Sequence, residues 1–177
     1  MMTVMATSSP PELPGGIDLA SLHRDHYREL VKLASFLVDD VGRCEELVQE
    51  AFVRLAARPG AVREPDRVVS YLRSAVLNGA RSALRRKDPE PRLRAVAPTA
   101  PGPEAPDAAA ARHDDEAAVL AAVRSLPERQ QSVLLLRYWL ELPESEIAHT
   151  LGIGAGTVKT HARRGLEALA ARLEDRR

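Results

Sequence analysis

Residues 144–169 read ESEIAHTLGIGAGTVKTHARRGLEAL, and the glycines followed by Lys159 resemble parts of a phosphate-binding loop. A Walker-type loop, however, needs a strand before it and a glycine directly before the lysine. Here Val158 stands before the lysine, and the preceding segment PESEIAHTL has helical periodicity. The context therefore excludes a nucleotide loop and favours a helix-turn-helix, in which a short turn containing glycine joins two helices.

Each part of the stretch fits that motif. Gly152 can end the first helix in the left-handed conformation, and Ile153 can fill the turn. Apolar residues at helical spacing predict the buried side of the two helices. They are Ile147, Ala148 and Leu151 in the first helix and Val158, Ala162, Leu166 and Leu169 in the second.

The opposite side of the second helix predicts a DNA-reading face. It is polar and basic, and it consists of Thr157, Lys159, Thr160, His161, Arg163 and Arg164. Such a face suits the major groove. Because Gly154 and Gly156 have no side chains, the backbone amides at the start of the helix can approach a phosphate closely. The alternative is a solvated face on a packing helix, which the absence of acids from Gly154 to Leu166 makes the weaker interpretation.

Composition predicts an all-α protein around this motif. The 177 residues are 45% hydrophobic and only 3% aromatic, and the apolar set is mostly Ala, Leu and Val, which favours helices. The 25 basic and 25 acidic residues balance, so only their distribution indicates partners. The single cysteine, Cys44, excludes an internal disulfide and favours a reducing compartment. Neither a signal peptide nor a membrane span is predicted, so we expect a cytoplasmic location without membrane insertion.

The chain divides into two predicted helical domains. Residues 1–17 read as a disordered arm that buries little, residues 18–87 as three helices, and residues 88–111 as a proline-rich linker. Residues 112–177 read as four helices, at about 113–125, 128–140, 144–151 and 156–174. Fully extended, the linker reaches at most about 80 Å. That reach would span two duplex sites about two turns apart.

Two charged surfaces are predicted in the first domain. Glu45, Glu46 and Glu50 would form an acidic patch suited to a protein partner, or an ordinary solvated face. The basic helix end formed by Arg81, Arg85, Arg86 and Lys87 suits phosphates, although one or two of these cations could merely complement the helix dipole. Tyr71 could stack on a base or belong to the core.

Both halves resemble bacterial sigma factors of the extracytoplasmic-function (ECF) group. The stretch from Leu126-Pro127 to Leu169 is similar to their region 4, with Glu146-Ile147-Ala148, Leu151-Gly152 and Gly156-Thr157-Val158-Lys159 as matching pieces. CEELVQEAFVRL and YLRSAVLNGARSALRRK, which begin at Cys44 and Tyr71, are similar to their region 2. Departures at Ser82, Pro143, His161 and Leu166 affect the expected promoter sequence rather than the role.

The resemblance implies a role for each matching residue. Contacts with core RNA polymerase, through its β and β′ subunits, are implied for Glu45, Glu46, Gln49, Glu50 and Phe52. Contacts with the −10 promoter element are implied for Tyr71, Asn78, Arg81, Arg85, Arg86 and Lys87. Contacts with the −35 element are implied for the six residues of the DNA-reading face.

The implied function is promoter-specific transcription initiation by a subunit without catalytic residues, cofactor or metal. Its partners would be core RNA polymerase, promoter DNA and an anti-sigma factor. One alternative is a LuxR-like regulator, although residues 18–87 lack the βα alternation of a receiver domain. His23 and His26 alone do not make a zinc site, and Cys44 is more typical of a buried thiol than of a redox sensor.

Overall fold

A computed structural model describes Leu13, residues 16–86 and residues 117–174 of the chain. No described segment forms a strand, so the predicted all-α class is confirmed. The N-terminal half contains α1 (Leu19–Ser35), α2 (Val41–Ala57) and α3 (Val68–Arg86). The C-terminal half contains α4, described over residues 117–124, then α5 (Glu128–Leu134), α6 (Glu144–Leu151) and α7 (Ala155–Glu174).

Side-chain caps fix the starts of the first two helices. Asp18 accepts hydrogen bonds from the backbone N–H groups of Ala20 and Ser21, at 3.2 and 2.9 Å. Asp40 accepts one from the N–H of Arg43 at 2.8 Å. Such caps satisfy backbone donors that have no partner within the helix, so they determine where each helix begins.

The three N-terminal helices enclose a core of leucine and valine, and each of them packs on the other two. Leu30, Leu33, Leu55 and Leu72 are fully buried there. Leu13 is also buried, and its carbonyl accepts a hydrogen bond from Gly16 N–H at 3.1 Å. The prediction that residues 1–17 bury little is therefore wrong at Leu13, whose side chain joins the core cluster.

The sequence predicts one regular helix over residues 128–140, but α5 ends at Leu134. It passes at Leu135–Trp139 into a π-helical turn, which directs Tyr138 and Trp139 to the surface. The described part of α4 and the start of α7 at Ala155 fall within a few residues of the predicted limits. The predicted linker, residues 88–111, and Lys87 lie outside the described residues.

The two halves pack against each other. Helix α3 contacts α6, and a single cluster of buried apolar residues runs from α1–α3 into α5–α7. Arg73 on α3 and Arg124 on α4 form hydrogen bonds across this boundary. Within the described part of the chain, no helix is long and apolar enough to cross a bilayer.

Candidate polymerase and nucleic-acid interfaces

The turn between α6 and α7 has the predicted helix-turn-helix geometry. Gly152 adopts the left-handed conformation, with φ of 62°, and its N–H lies 3.3 Å from the carbonyl of His149. Ile153 N–H donates to the carbonyl of Ala148 at 3.0 Å, and the Ile153 side chain packs against the core. A residue with a Cβ would be strained at Gly152, so glycine is what allows so tight a turn.

Helix α7 is seated by small residues. Val158, Ala162 and Gly165 are buried, at spacings of four and three residues. A Cβ placed on Gly165 would lie 3.0 Å from Leu134 Cδ1, so a larger residue would push α7 away from α5. The prediction that Leu166 belongs to the core is wrong, since its side chain is 42% exposed. Close helix approach requires glycine at the contact, and the apolar residue beside it therefore points outward.

The predicted DNA-reading face of α7 is open to solvent. Thr157, Lys159, Thr160, Arg163 and Arg164 are exposed, whereas His161 is half-buried. The buried His161 Nδ1 has no hydrogen-bond partner among the described residues. Since α7 is seated on one side, this polar face projects from the opposite side.

Acidic residues restrain two cations of that face. Glu144, at the start of α6, accepts a hydrogen bond from Arg137 at 2.9 Å and lies 3.7 Å from Lys159 Nζ. Arg163 pairs with Glu167 at 2.8 Å. Exposed pairs of this kind are weak, so phosphates could replace the carboxylates. The contact between Glu144 and Lys159 joins two helices, and helical periodicity gives no sign of it.

The acidic patch of α2 lies beside a shallow groove. Glu45, Glu46 and Gln49 are exposed, and Glu50 is half-buried. Val53 is 64% exposed next to them and was not predicted. An apolar residue within a polar rim is typical of a protein-binding surface.

Arginines partly neutralise this patch. Arg43 pairs with Glu46 at 2.8 Å and with Glu50 at 3.6 Å, and Arg54 pairs with Glu50 at 3.0 Å. The hydrogen bond to Glu46 is the main reason that the pKa of Arg43 is raised. The net charge of the surface is therefore less negative than its carboxylates alone suggest.

Phe52 is not on this surface. Only 4% of it is exposed, and its ring centroid lies 4.9 Å from that of His23. The expectation of a direct polymerase contact at Phe52 is corrected: its ring fills the core beneath α2. An apolar residue in the middle of an amphipathic helix packs inward, and a motif match alone does not reveal that orientation.

Some of the predicted DNA-binding residues at the basic end of α3 are exposed, and one is buried. Asn78 and Arg85 are exposed, and Arg85 Nη1 donates to the Glu128 carboxylate at 3.0 Å. Arg81 is buried, and its Nη2 donates to the backbone carbonyl of Glu128 at 2.9 Å. Desolvation by burial lowers the pKa of Arg81. The expected surface position of Arg81 is thus wrong in this arrangement, because the start of α5 covers it.

The remaining predicted residues of α3 are less informative. Tyr71 is half-buried and packs against the core, which agrees with the alternative that this residue belongs to the core. The side chain of Arg86 and the whole of Lys87 lie outside the described residues. Base stacking by Tyr71 and phosphate contact by these two cations remain predictions.

Cys44 is a buried thiol. Its Sγ donates to the carbonyl of Val38 at 3.4 Å, and desolvation by burial raises its pKa to about 11. A protonated and enclosed thiol is a poor nucleophile, so the redox interpretation gains no support.

His23 stacks on Tyr27 with ring centroids 4.6 Å apart. Among the described residues, no group of three or more His, Cys, Asp or Glu side chains could hold a metal ion.

Family models match both halves of the chain. The model for sigma-70 region 2 matches residues 22–90, and the model for sigma-70 region 4 matches residues 116–169. The RNA polymerase sigma-E factor of Streptomyces avermitilis is 32% identical over 148 residues, which cover 83% of this chain and 80% of that protein. The ECF RNA polymerase sigma factor SigW of Bacillus subtilis is 26% identical over 168 residues, which cover 89% of this chain and 88% of that protein.

Solved structures share the fold. The sigma factor RpoE of Bartonella quintana, solved in complex with the anti-sigma factor NepR, superposes with a TM-score of 0.68 at 18% identity. The match covers 90% of this chain and 99% of that one. The chain belongs to the sigma-70 family of RNA polymerase sigma factors, in its extracytoplasmic-function group. It is therefore a transcription initiation factor.

Proposed function

We propose that this sigma factor docks on core RNA polymerase through α2, contacts the −10 element with α3 and reads the −35 element with α7. The single observation that carries the proposal is the polar face of α7, which is open to solvent and borne on a helix seated by Val158, Ala162 and Gly165. A rigid seat fixes the reading side chains with respect to the helix, and major-groove readout requires this.

Docking on the β and β′ subunits is assigned to the groove side of α2. Glu45, Glu46 and Gln49 would supply the polar contacts there, and Val53 the apolar one. Phe52 supports this surface from below rather than touching the partner. Glu50 is held between Arg43 and Arg54, so its role is to orient those cations.

Contacts with the −10 element are assigned to the exposed residues Asn78 and Arg85, together with Arg86 and Lys87. We expect Arg81 to join them once Glu128 moves away from it. The region 2 domain would extend over residues 18–87 and the region 4 domain over 112–177. The linker at 88–111 would set the distance between the two DNA elements.

Chemistry would remain in the polymerase, so the subunit is proposed to be non-enzymatic and to act in the cytoplasm, where its polymerase and promoters are. An anti-sigma factor is a further proposed partner, supported by the solved complex of RpoE with NepR. The two family matches, one in each half, favour this function over a LuxR-like regulator.

The decisive experiment is reconstitution of transcription. The purified full chain is added to core polymerase and a library of promoter fragments, and the start sites are sequenced. We expect initiation at a discrete promoter class, and its absence would contradict the proposal. The double substitution Glu46→Lys with Gln49→Lys should abolish capture of core enzyme, whereas Glu174→Lys, at the exposed end of α7, should leave it intact.

A further inference from the structure

Among the residues predicted to read DNA on α7, only His161 is half-buried. Thr157, one turn before it, and Arg164, one turn after it, are exposed, whereas Ala162 and Gly165 are buried in the seat of the helix. Residues three or four positions apart share one side of a helix, so His161 has both exposed and buried neighbours. It therefore lies on the rim of the reading face, next to the seat.

The two ring nitrogens of His161 lie in different surroundings. Nδ1 is buried and has no hydrogen-bond partner among the described residues. Gln130 Oε1 of α5 is likewise buried without a partner in that part of the chain, so it does not accept a bond from Nδ1. Because the residue as a whole is only half-buried, the exposed edge of the ring is the one that carries Nε2.

These surroundings determine which nitrogen carries the proton. A neutral imidazole has an N–H at one nitrogen only, whereas the charged form has an N–H at both. An N–H at Nδ1 would be a buried donor without an acceptor, and unpaired N–H groups are rarer in protein interiors than unpaired acceptors. The proton therefore belongs on Nε2, and the ring presents a single uncharged donor to solvent.

The rim of a reading helix faces the walls of the major groove rather than its floor. An α-helix about 10–12 Å across fills a groove about 12 Å wide, so the flanks of the helix meet the two DNA backbones. A ring that is held against the seat cannot extend to the base edges between them. Its donor is placed for a phosphate oxygen, and such bonds position a protein on the duplex without reading sequence.

We infer that His161 donates from Nε2 to a backbone phosphate of the −35 duplex, as an uncharged positioning residue rather than a base reader. This inference rests on the proposed function of α7. Because the contact involves no cation, it releases no counterion, and its loss should leave the salt dependence of binding unchanged. A phosphate contact made by Lys159 or Arg163, in contrast, contributes about one to the log–log slope.

Four substitutions of His161 in the full chain test the contact. His161→Ala removes the donor, His161→Gln carries an amide N–H near the position of Nε2, His161→Asn carries one near Nδ1, and His161→Arg supplies a cation. His149→Ala is the matched control, because His149 is an exposed histidine of the same half that lines a groove with Arg73 of α3. The duplex is the one that the wild-type chain selects from a random library. Fluorescence anisotropy measures binding to it and to its single-base variants at several salt concentrations.

We expect His161→Ala and His161→Asn to weaken binding about tenfold, as the loss of one hydrogen bond to a charged group would. The factor should be the same on every duplex, and the salt slope should not change. His161→Gln should stay within about threefold of wild type, His161→Arg should steepen the slope by about one, and His149→Ala should match wild type. The inference is overturned if His161→Ala binds as tightly as wild type, loses affinity mainly at one base pair, or lowers the slope by about one.

The position of the proton is tested without DNA. Long-range proton–nitrogen correlation spectra of the full chain at neutral pH distinguish the two neutral tautomers from the charged ring, and the His161 signals are those missing in His161→Gln. A proton on Nδ1, alone or together with one on Nε2, would also overturn the inference. A wild-type chain that selects no duplex contradicts the proposed function of α7 and this inference with it, whereas selection that His161→Ala leaves unchanged contradicts only the inference.

Discussion

The reading face of α7 and the basic end of α3 are both built from cations on a helix, yet only the first is open. Five of the six predicted residues on α7 are exposed, and the acids near them, Glu144 and Glu167, form weak surface pairs. On α3, Arg81 is buried and Arg85 is paired with Glu128 from the other half. A local motif therefore fixes which charged groups a helix surface carries, whereas residues far along the chain decide whether those groups are exposed.

The largest effect is expected on the open face. Replacing Lys159, Arg163 and Arg164 together by alanine should weaken −35 duplex binding at least about a hundredfold, since each charged contact contributes about 1–3 kcal/mol. The log–log salt dependence should lose a slope of about three. Binding is measured by anisotropy at several salt concentrations.

The control for this triple variant removes three cations from the N-terminal half, Arg28, Arg63 and Arg67, which lie outside the proposed DNA contacts. It should keep both the affinity and most of the salt slope. Equal losses in the two triple variants would mean that net charge rather than the α7 face binds the duplex.

The core of the N-terminal half should lose stability in alkali. Burial raises the pKa of Cys44 to about 11, so the folded N-terminal half binds a proton that the unfolded chain releases near its ordinary value of 9.0. Stability should therefore fall as the pH rises from about 9 to 11, by at most about 3 kcal/mol at about 1.4 kcal/mol per pKa unit. Urea unfolding at each pH measures it, and Cys44→Ala should flatten this decline.

The seat of α7 is the corresponding probe in the C-terminal half. Gly165→Val should cost about 1–3 kcal/mol, because the new side chain would meet Leu134 and overpack the contact with α5. Gly156→Ala is the matched control, because its Cβ would meet no atom within 4 Å; we expect it to be neutral or stabilising by about 0.5 kcal/mol. Urea unfolding measures both, and equal destabilisation would contradict the close contact.

The smallest effect is expected on the covered face. In the free chain, Asn78→Ala with Arg85→Ala should change binding of single-stranded DNA by less than about threefold, a loss within the range of one exposed ion pair. In the holoenzyme the same substitutions should reduce −10 opening clearly, as permanganate footprinting would detect. A large loss in the free chain would show that α3 is accessible there and would erase the contrast with α7.

Sequence reasoning succeeded where the determining contacts are local. The left-handed Gly152, the inserted Ile153 and the exposed face of α7 all follow from residues within one helix-turn-helix. The helical class followed in the same way, because periodicity and composition act over a few turns.

It failed where a partner lies far along the chain. Nothing near Arg81 in the sequence indicates that the carbonyl of Glu128 will cover it, and nothing near Leu166 indicates that Gly165 meets Leu134. Leu13 was assigned to an arm because prolines and glycines surround it in the sequence, yet its side chain is buried in the core. Burial of individual side chains depends on how the helices meet, and no local pattern contains that information.

The contact between Glu128 and the basic end of α3 can form only late in synthesis of the chain. Glu128 lies 43 residues after Arg85, and ribosomes add about 5–20 residues per second, so Arg85 is made about 2–9 s before the residue that pairs with it. All three helices of the N-terminal half are complete before α5 exists. Every newly made molecule thus passes through an interval in which the basic end of α3 is bare, and only the finished polypeptide can conceal it.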